Sequence, residues 1–138
     1  MVSRQCGEGM DRNPDSEEFH LKQEELEAIS FCADHYKKTV VVLNVGGVMD
    51  LTELEKITGI SAIVYMGMLG CRGGDALAAI LSGKVTPSGH LAYTWMKRYD
   101  DVPYAREFGP MAADKLTQEY KEGMYVGCLL YTSPSPRD

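Results

Sequence analysis

One carboxylate is set apart by its neighbours. In "SRQCGEGMDR", residues 3–12, Glu8 lies between Gly7 and Gly9. Glycines are costly in helices and in strands, so the stretch reads as an exposed loop of special shape. A carboxylate on such a loop is either solvated and idle or held out for proton transfer, and solvation is the default reading. Arg4, Asp11 and Arg12 surround it. Arg4 either braces the base of the loop or is solvated. Asp11 and Arg12 either orient Glu8 or form a plain surface ion pair, which is worth little.

Other chemistries find less support. The four cysteines, Cys6, Cys32, Cys71 and Cys128, form no CxxC pair, and His20, His35 and His90 are scattered. No metal site is expected from that spacing. The cysteines read as free thiols, as a reducing compartment permits. The glycine-rich stretch 67–74 lacks the Lys-Ser/Thr of a phosphate loop and the spacing of a dinucleotide fingerprint. No cofactor is expected. A net charge of −6 argues against a nucleic-acid partner. Nothing in the chain reads as a signal segment or a membrane span, so no membrane partner is expected. The compartment stays open between cytoplasm, periplasm and secretion.

The elements that would position Glu8 follow from the hydrophobic pattern. With 138 residues, 44% hydrophobic and 25% charged, the chain is one soluble domain or a piece of a larger one. Residues 1–3 read as the end of a strand, too short to hold a sheet position. A polar loop follows over 4–21. "KQEELEAISFCADHYK", 22–37, carries Leu26, Ile29, Ala33 and Tyr36 on one helical face. Its glutamates Glu24, Glu25 and Glu27 favour a helix start. "TVVVLNV", Thr39–Val45, is a β-branched run of the kind buried on both sheet faces. A short helix or turn at 51–57, a second buried strand at 61–67 and a helix at 74–83 closed by Gly83 come next. "PSGHLAYTW", 87–95, reads as a turn into a third strand, and 96–118 as irregular. Alternating strands and helices predict an α/β fold: an open, mostly parallel sheet flanked by helices, incomplete at both ends. Ligands of such sheets bind at the carboxyl ends of the strands, the edge to which the Glu8 loop, Gly46 and 67–74 would belong.

These segments, in order, resemble the C-terminal α/β sandwich domain of glycoside hydrolase family 3, the β-glucosidases and β-xylosidases. The resemblance rests on "SRQCGEGMDR", "KTVVVLNVGGVMDL", "AIVYMGMLGCRGGDALAAILSGKVTPSGHLAYTW", "YDDVP" and "YKEGMYVG". It covers most of 3–127, assigned to the domain as 1–127. Residues 128–138, "CLLYTSPSPRD", depart from it and look like a translated sequencing adapter, so a disordered non-native tail and a truncated fragment are expected. Cys6 stands where the family usually has serine. Cys71-Arg72-Gly73-Gly74 replaces a loop that often reads Gln-Glu-Gly-Gly.

The resemblance implies a retaining exo-β-glycosidase, β-glucosidase above all, acting on a β-linked oligosaccharide or glycoside. Its aspartate nucleophile would sit on an N-terminal barrel domain and its general acid/base on the loop matching Glu8. Arg4, Asp11 and Arg12 would bind substrate or support Glu8. The fragment alone would then be inactive. The competing reading is a non-catalytic α/β binding or interaction module.

Overall fold

The β-branched run builds the centre of the sheet. In the computed structural model, which describes residues 1–4, 18–92, 94–107, 116–117, 119–121 and 123–124, Thr39–Val45 is the middle strand, β2. It is flanked by β1 (Val2–Arg4) and β3 (Ile60–Tyr65), both parallel to it, in the order β1-β2-β3. The open parallel α/β sheet read from the sequence is present. The shortness of β1 does not keep it out of the sheet: Val2, Ser3 and Arg4 register with Leu43, Asn44 and Val45. The Asn44 side-chain amide donates to Ser3 Oγ at 3.2 Å, adding a side-chain link to the short ladder.

Side-chain alternation assigns the two faces. Val2, Arg4, Thr39, Val41, Leu43 and Val45 share one face, and all are buried. Helix α1 (Gln23–His35) lies on it, with the Thr39 hydroxyl donating to Cys32 O at 3.0 Å. On the other face Val42 is buried, but Val40 is 40% exposed. The expectation of a strand buried on both faces therefore holds only around Val42. Leu26, Ile29 and Ala33 are half-buried on α1 as their spacing predicts, whereas Tyr36 is exposed. The backbone turns extended at Tyr36, the helix C-cap, and carries its side chain off the stripe.

Two further readings need correction. Strand β3 is not a buried strand: Ser61, Ala62, Ile63 and Tyr65 are exposed. Burial of a parallel strand requires cover on both faces and a neighbour on each side. Among the described residues β3 has a neighbour only in β2, because 87–92 and 94–95 form no strand. A register shift between Thr39 and Val40 adds an irregularity, with Ser61 Oγ accepting from the Thr39 N–H at 3.3 Å.

Helices α2 (Thr52–Glu55) and α3 (Gly73–Leu81) occupy the expected places. Gly83 closes α3 at φ 74°. Its N–H donates to Ile80 O at 3.0 Å, and the Lys84 N–H donates to Ala79 O at 2.9 Å, a complete Schellman ending. The chain divides into two units, Met1–Ser88 and Gly89–Asp138. In the second, 3₁₀ turns at Tyr99–Asp101 and Ala105–Glu107 are tied by the Tyr99 hydroxyl donating to Ala105 O at 3.1 Å.

Two glycines with positive φ separate backbone strain from crowding. At Gly59 (φ +93°) an added Cβ would lie 2.9 Å from the backbone oxygen of Ala33, in α1; at Gly83 it would meet nothing within 4 Å. Gly83→Ala is expected to cost the conformational strain alone, about 1–2 kcal/mol. Gly59→Ala should cost more, because α1 must also move. Urea midpoints of the two variants measure the difference, and equal losses would contradict the close approach of α1.

Candidate functional site

The carboxyl ends of the three strands lie side by side. The parallel register sets Arg4 next to Val45 and Leu43 next to Tyr65. The Met66 N–H continues the ladder by donating to Leu43 O at 3.0 Å. The stretches that leave this edge begin at residue 5, at Gly46 and at Met66. Of the four site residues read from the sequence, Arg4 is on this edge, while Glu8, Asp11 and Arg12 lie outside the described residues.

Arg4 has the same strand parity as Val2, so its side chain points to the face under α1 and is only 5% exposed. A guanidinium in that position needs a counter-charge and hydrogen-bond acceptors. Glu25, in the first turn of α1, supplies both. Arg4 Nη1 donates to Glu25 Oε1 at 2.7 Å and Nη2 donates to Oε2 at 2.6 Å, a bidentate fork. The same nitrogens also donate to backbone oxygens, Nη1 to Ser3 O at 2.9 Å and Nη2 to His20 O at 3.1 Å. Glu25 Oε2 further accepts from the Lys22 N–H at 2.9 Å, one of the donors that a helix start leaves without an intrahelical partner. The Arg4 fork holds the Glu25 carboxyl below the usual carboxylate range, opposed by burial and helped by the Lys22 N–H.

The chain re-enters this corner through Phe19 and His20. Phe19 is buried, and its carbonyl accepts from the Asp50 N–H at 2.9 Å. The His20 ring Nδ1 lies 3.4 Å from Asp50 Oδ2. Asp50 Oδ1 accepts from both the N–H of Thr52, at 2.9 Å, and its hydroxyl, at 2.6 Å, which connects the corner to α2. Met49, the residue before Asp50, is fully buried. Residue 4 and residues 19–20 are therefore drawn to the same corner of the sheet by Arg4, Glu25 and Asp50.

Sequence reasoning did not find the roles of Glu25 and His20. Glu25 stood among three glutamates at a helix start and His20 among scattered histidines. The parity of Arg4 with Val2 is the signal the sequence offers, and over a three-residue strand it is too short to show that the cation lies on a covered face and has to be paired.

Elsewhere the departures are locally satisfied. Arg72 Nε pairs with Asp75 Oδ2 at 2.5 Å on the exposed start of α3. Cys32 and Cys71 are free thiols. Among the described residues, no group of three or more His, Cys, Asp or Glu is placed to hold a metal ion, and no helix is long and apolar enough to cross a membrane.

Comparison with known proteins gives a consistent result. The model of the "Glycosyl hydrolase family 3 C-terminal domain" matches residues 1–128. Beta-glucosidase A of Butyrivibrio fibrisolvens is 36% identical over 113 residues, 82% of this chain and 13% of the relative. A beta-glucosidase of Bacteroides ovatus is 40% identical over 96 residues, 68% of this chain and 12% of the relative. Beta-glucosidase 1 of Saccharomycopsis fibuligera is 34% identical over 118 residues, 83% of this chain and 14% of the relative. The chain thus spans roughly an eighth of the length of these relatives.

The ion pair yields two stability predictions. Lowering of the Glu25 pKa in the fold means that its stabilisation is complete above the unfolded carboxyl pKa, about 4.3. It is lost as pH falls through the lower folded value. Between these two values the stability of the wild type should fall more steeply with acid than that of Glu25→Gln; parallel profiles would contradict this. Arg4→Met, which leaves the part-buried Glu25 with the Lys22 N–H but without its counter-charge, should cost about 1–3 kcal/mol, and Arg4→Met with Glu25→Leu should recover part of it. Denaturant midpoints at neutral pH check the second prediction, which fails if the double variant is the less stable of the two.

Proposed function

The chain belongs to the family of glycosyl hydrolase family 3 C-terminal domains, and from that premise we propose that it is the acid/base-bearing domain of a retaining exo-β-glycosidase. Hydrolysis of β-glucosides is the leading activity, because the similar full-length proteins are named beta-glucosidases. The observation that carries the reading is the position of Glu8. It lies between two glycines, inside the family match, a few residues beyond a strand that ends on the carboxyl edge of a parallel sheet. That edge is where such sheets present ligand-binding groups.

In this reading Glu8 works against an aspartate nucleophile supplied by an N-terminal barrel domain. Retaining hydrolysis needs the two carboxyl groups about 5–5.5 Å apart. Glu8 first gives its proton to the leaving oxygen while the aspartate bonds to the anomeric carbon. It then takes a proton from the water that releases the sugar. Glycines on both sides leave room for the sugar. Asp11 and Arg12 orient the segment, and the domain itself occupies 1–127, with 128–138 outside it.

The 138-residue chain, lacking the nucleophile, should not turn over an aryl β-glucoside. Turnover abolished by Glu8→Ala would overturn that expectation. The role of Glu8 is tested in a full-length beta-glucosidase relative whose matched stretch is replaced by residues 1–127. Glu8→Gln should slow a disaccharide by about 10²–10⁴-fold, because its leaving sugar needs a proton. An aryl glucoside with an acidic leaving group should keep most of its first step and stall at the second. Added azide, which needs no base, should restore turnover and give the β-glucosyl azide. Equal losses on both substrates without azide rescue, in a protein that melts like the parent, would remove Glu8 from the mechanism.

A further inference from the structure

The outer side of α1 carries an aromatic pair that packing on the sheet does not explain. Phe31 is 57% exposed, in a helix whose half-buried stripe is Leu26, Ile29 and Ala33. His35, one turn on, stacks against it with ring centroids 4.0 Å apart and planes 20° from parallel. The stack covers one face of Phe31, so its exposure belongs to the other face and the rim. His35 Nδ1 lies 2.8 Å from the Phe31 carbonyl oxygen. A carbonyl only accepts, so Nδ1 carries the proton, and in the neutral ring Nε2 is left as an acceptor. The other residues three and four positions from Phe31 are Glu27, Ala28 and Asp34, all exposed. Glu27 Oε1 accepts from Gln23 Nε2 at 3.0 Å, which orients that carboxylate. The polar side chains around the ring are therefore acceptors: two carboxylates and Nε2.

We propose that Phe31 and His35 form a surface subsite for a β-linked gluco-oligosaccharide, apart from the carboxyl edge of the sheet. The inference takes its ligand class from the β-glucoside reading. Three physical points support it. A β-linked glucopyranose keeps its hydroxyls equatorial and turns axial C–H groups to its faces, and the electron-rich face of an aromatic ring attracts such groups. Hydroxyls at the sugar rim are donors, which matches a surround of acceptors; an anionic ligand would meet two carboxylates. Finally, the stack and the Nδ1–H bond hold both rings in place before a ligand arrives, so little further ordering is needed. The subsite belongs to the amino end of β2, where the Thr39 hydroxyl donates to Cys32 O. Val45, at the carboxyl end, is six residues further, about 20 Å along the strand. A sugar chain held at Phe31 would thus be retained by the protein without occupying that edge.

The test is a titration of the 138-residue chain with cellotetraose, followed by amide chemical shifts. Shifts should move over the second half of α1, with a Kd of about 1 mM, the weak end of specific binding. Phe31→Tyr, which keeps a flat ring, should bind like the parent. Phe31→Leu, which keeps apolar bulk without the ring face, should weaken binding about tenfold, and His35→Ala should weaken it less. Urea midpoints of these surface variants should stay near the parent value. The same substitutions in the full-length chimera, read as retardation in a gel holding soluble β-glucan, give the answer if the 138-residue chain does not fold. Absence of binding, equal binding by Phe31→Leu and the parent, or equal binding of maltotetraose, whose axial linkage breaks the flat face, would overturn the subsite. Binding that vanishes as salt is raised would also overturn it, because an aromatic ring beside two carboxylates would then be holding a cation. Phe31→Leu should leave hydrolysis of a disaccharide by the chimera unchanged. Glu8→Gln without leaving-group selectivity would remove the acid/base reading while the binding measurement still decides the subsite.

Discussion

A guanidinium buried at the end of a three-residue strand is the constraint on which this corner of the fold depends. Removing a charge of that kind from water costs several kcal/mol, and only a well-aligned counter-ion with further hydrogen bonds offsets the cost. Arg4 has both, and each partner comes from a different element. The consequence is geometric. If α1 shifted along the sheet, the fork to Glu25 would break; if β1 slipped its register, Arg4 would turn to the other face. The pair links the register of the shortest strand to the position of the longest helix. It also brings Glu25 to the Lys22 N–H, so the same carboxylate serves the helix start.

Stability alone does not explain why an ion pair stands here. Two apolar side chains of similar volume would avoid the desolvation and often match or exceed a buried pair. What the ion pair adds is direction and reach: a flat fork with donors left over for the carbonyls of Ser3 and His20. An apolar pair would fill the space under β1 but would leave the His20 carbonyl without that donor. The interaction is thus better suited to holding chain segments in a defined arrangement than to adding to the core formed by Leu43, Val45 and Met49.

Much of the fold was legible in the sequence because its signals are local. A β-branched run specified β2, and Gly83 marked the end of α3 through the left-handed backbone it adopts. Alternation of strands and helices gave the parallel sense. What was not legible depends on non-local cover. The composition of 60–65 says strand but cannot say whether a neighbour lies beyond it, so the exposure of Ile63 and Tyr65 was missed. Spacing put Tyr36 on the apolar stripe of α1, yet the helix has already ended there. At the site, the pattern Val2-Ser3-Arg4 is too short for its period to be read with force, so the burial of Arg4 and its choice among three nearby glutamates emerged only with α1 in place. The chemistry-bearing motif itself, Gly7-Glu8-Gly9, was readable because glycines flanking a carboxylate are informative without tertiary context.

The described residues on either side of 5–17 are held by different means. Arg4 is part of the parallel ladder, while the carbonyls of Phe19 and His20 accept from the Asp50 N–H and the Arg4 guanidinium. Neither Arg4 nor His20 can shift without breaking a charge-assisted or backbone hydrogen bond. The corner therefore depends on contacts between β1, α1 and the turn before α2 together, and no one of these elements would hold it alone.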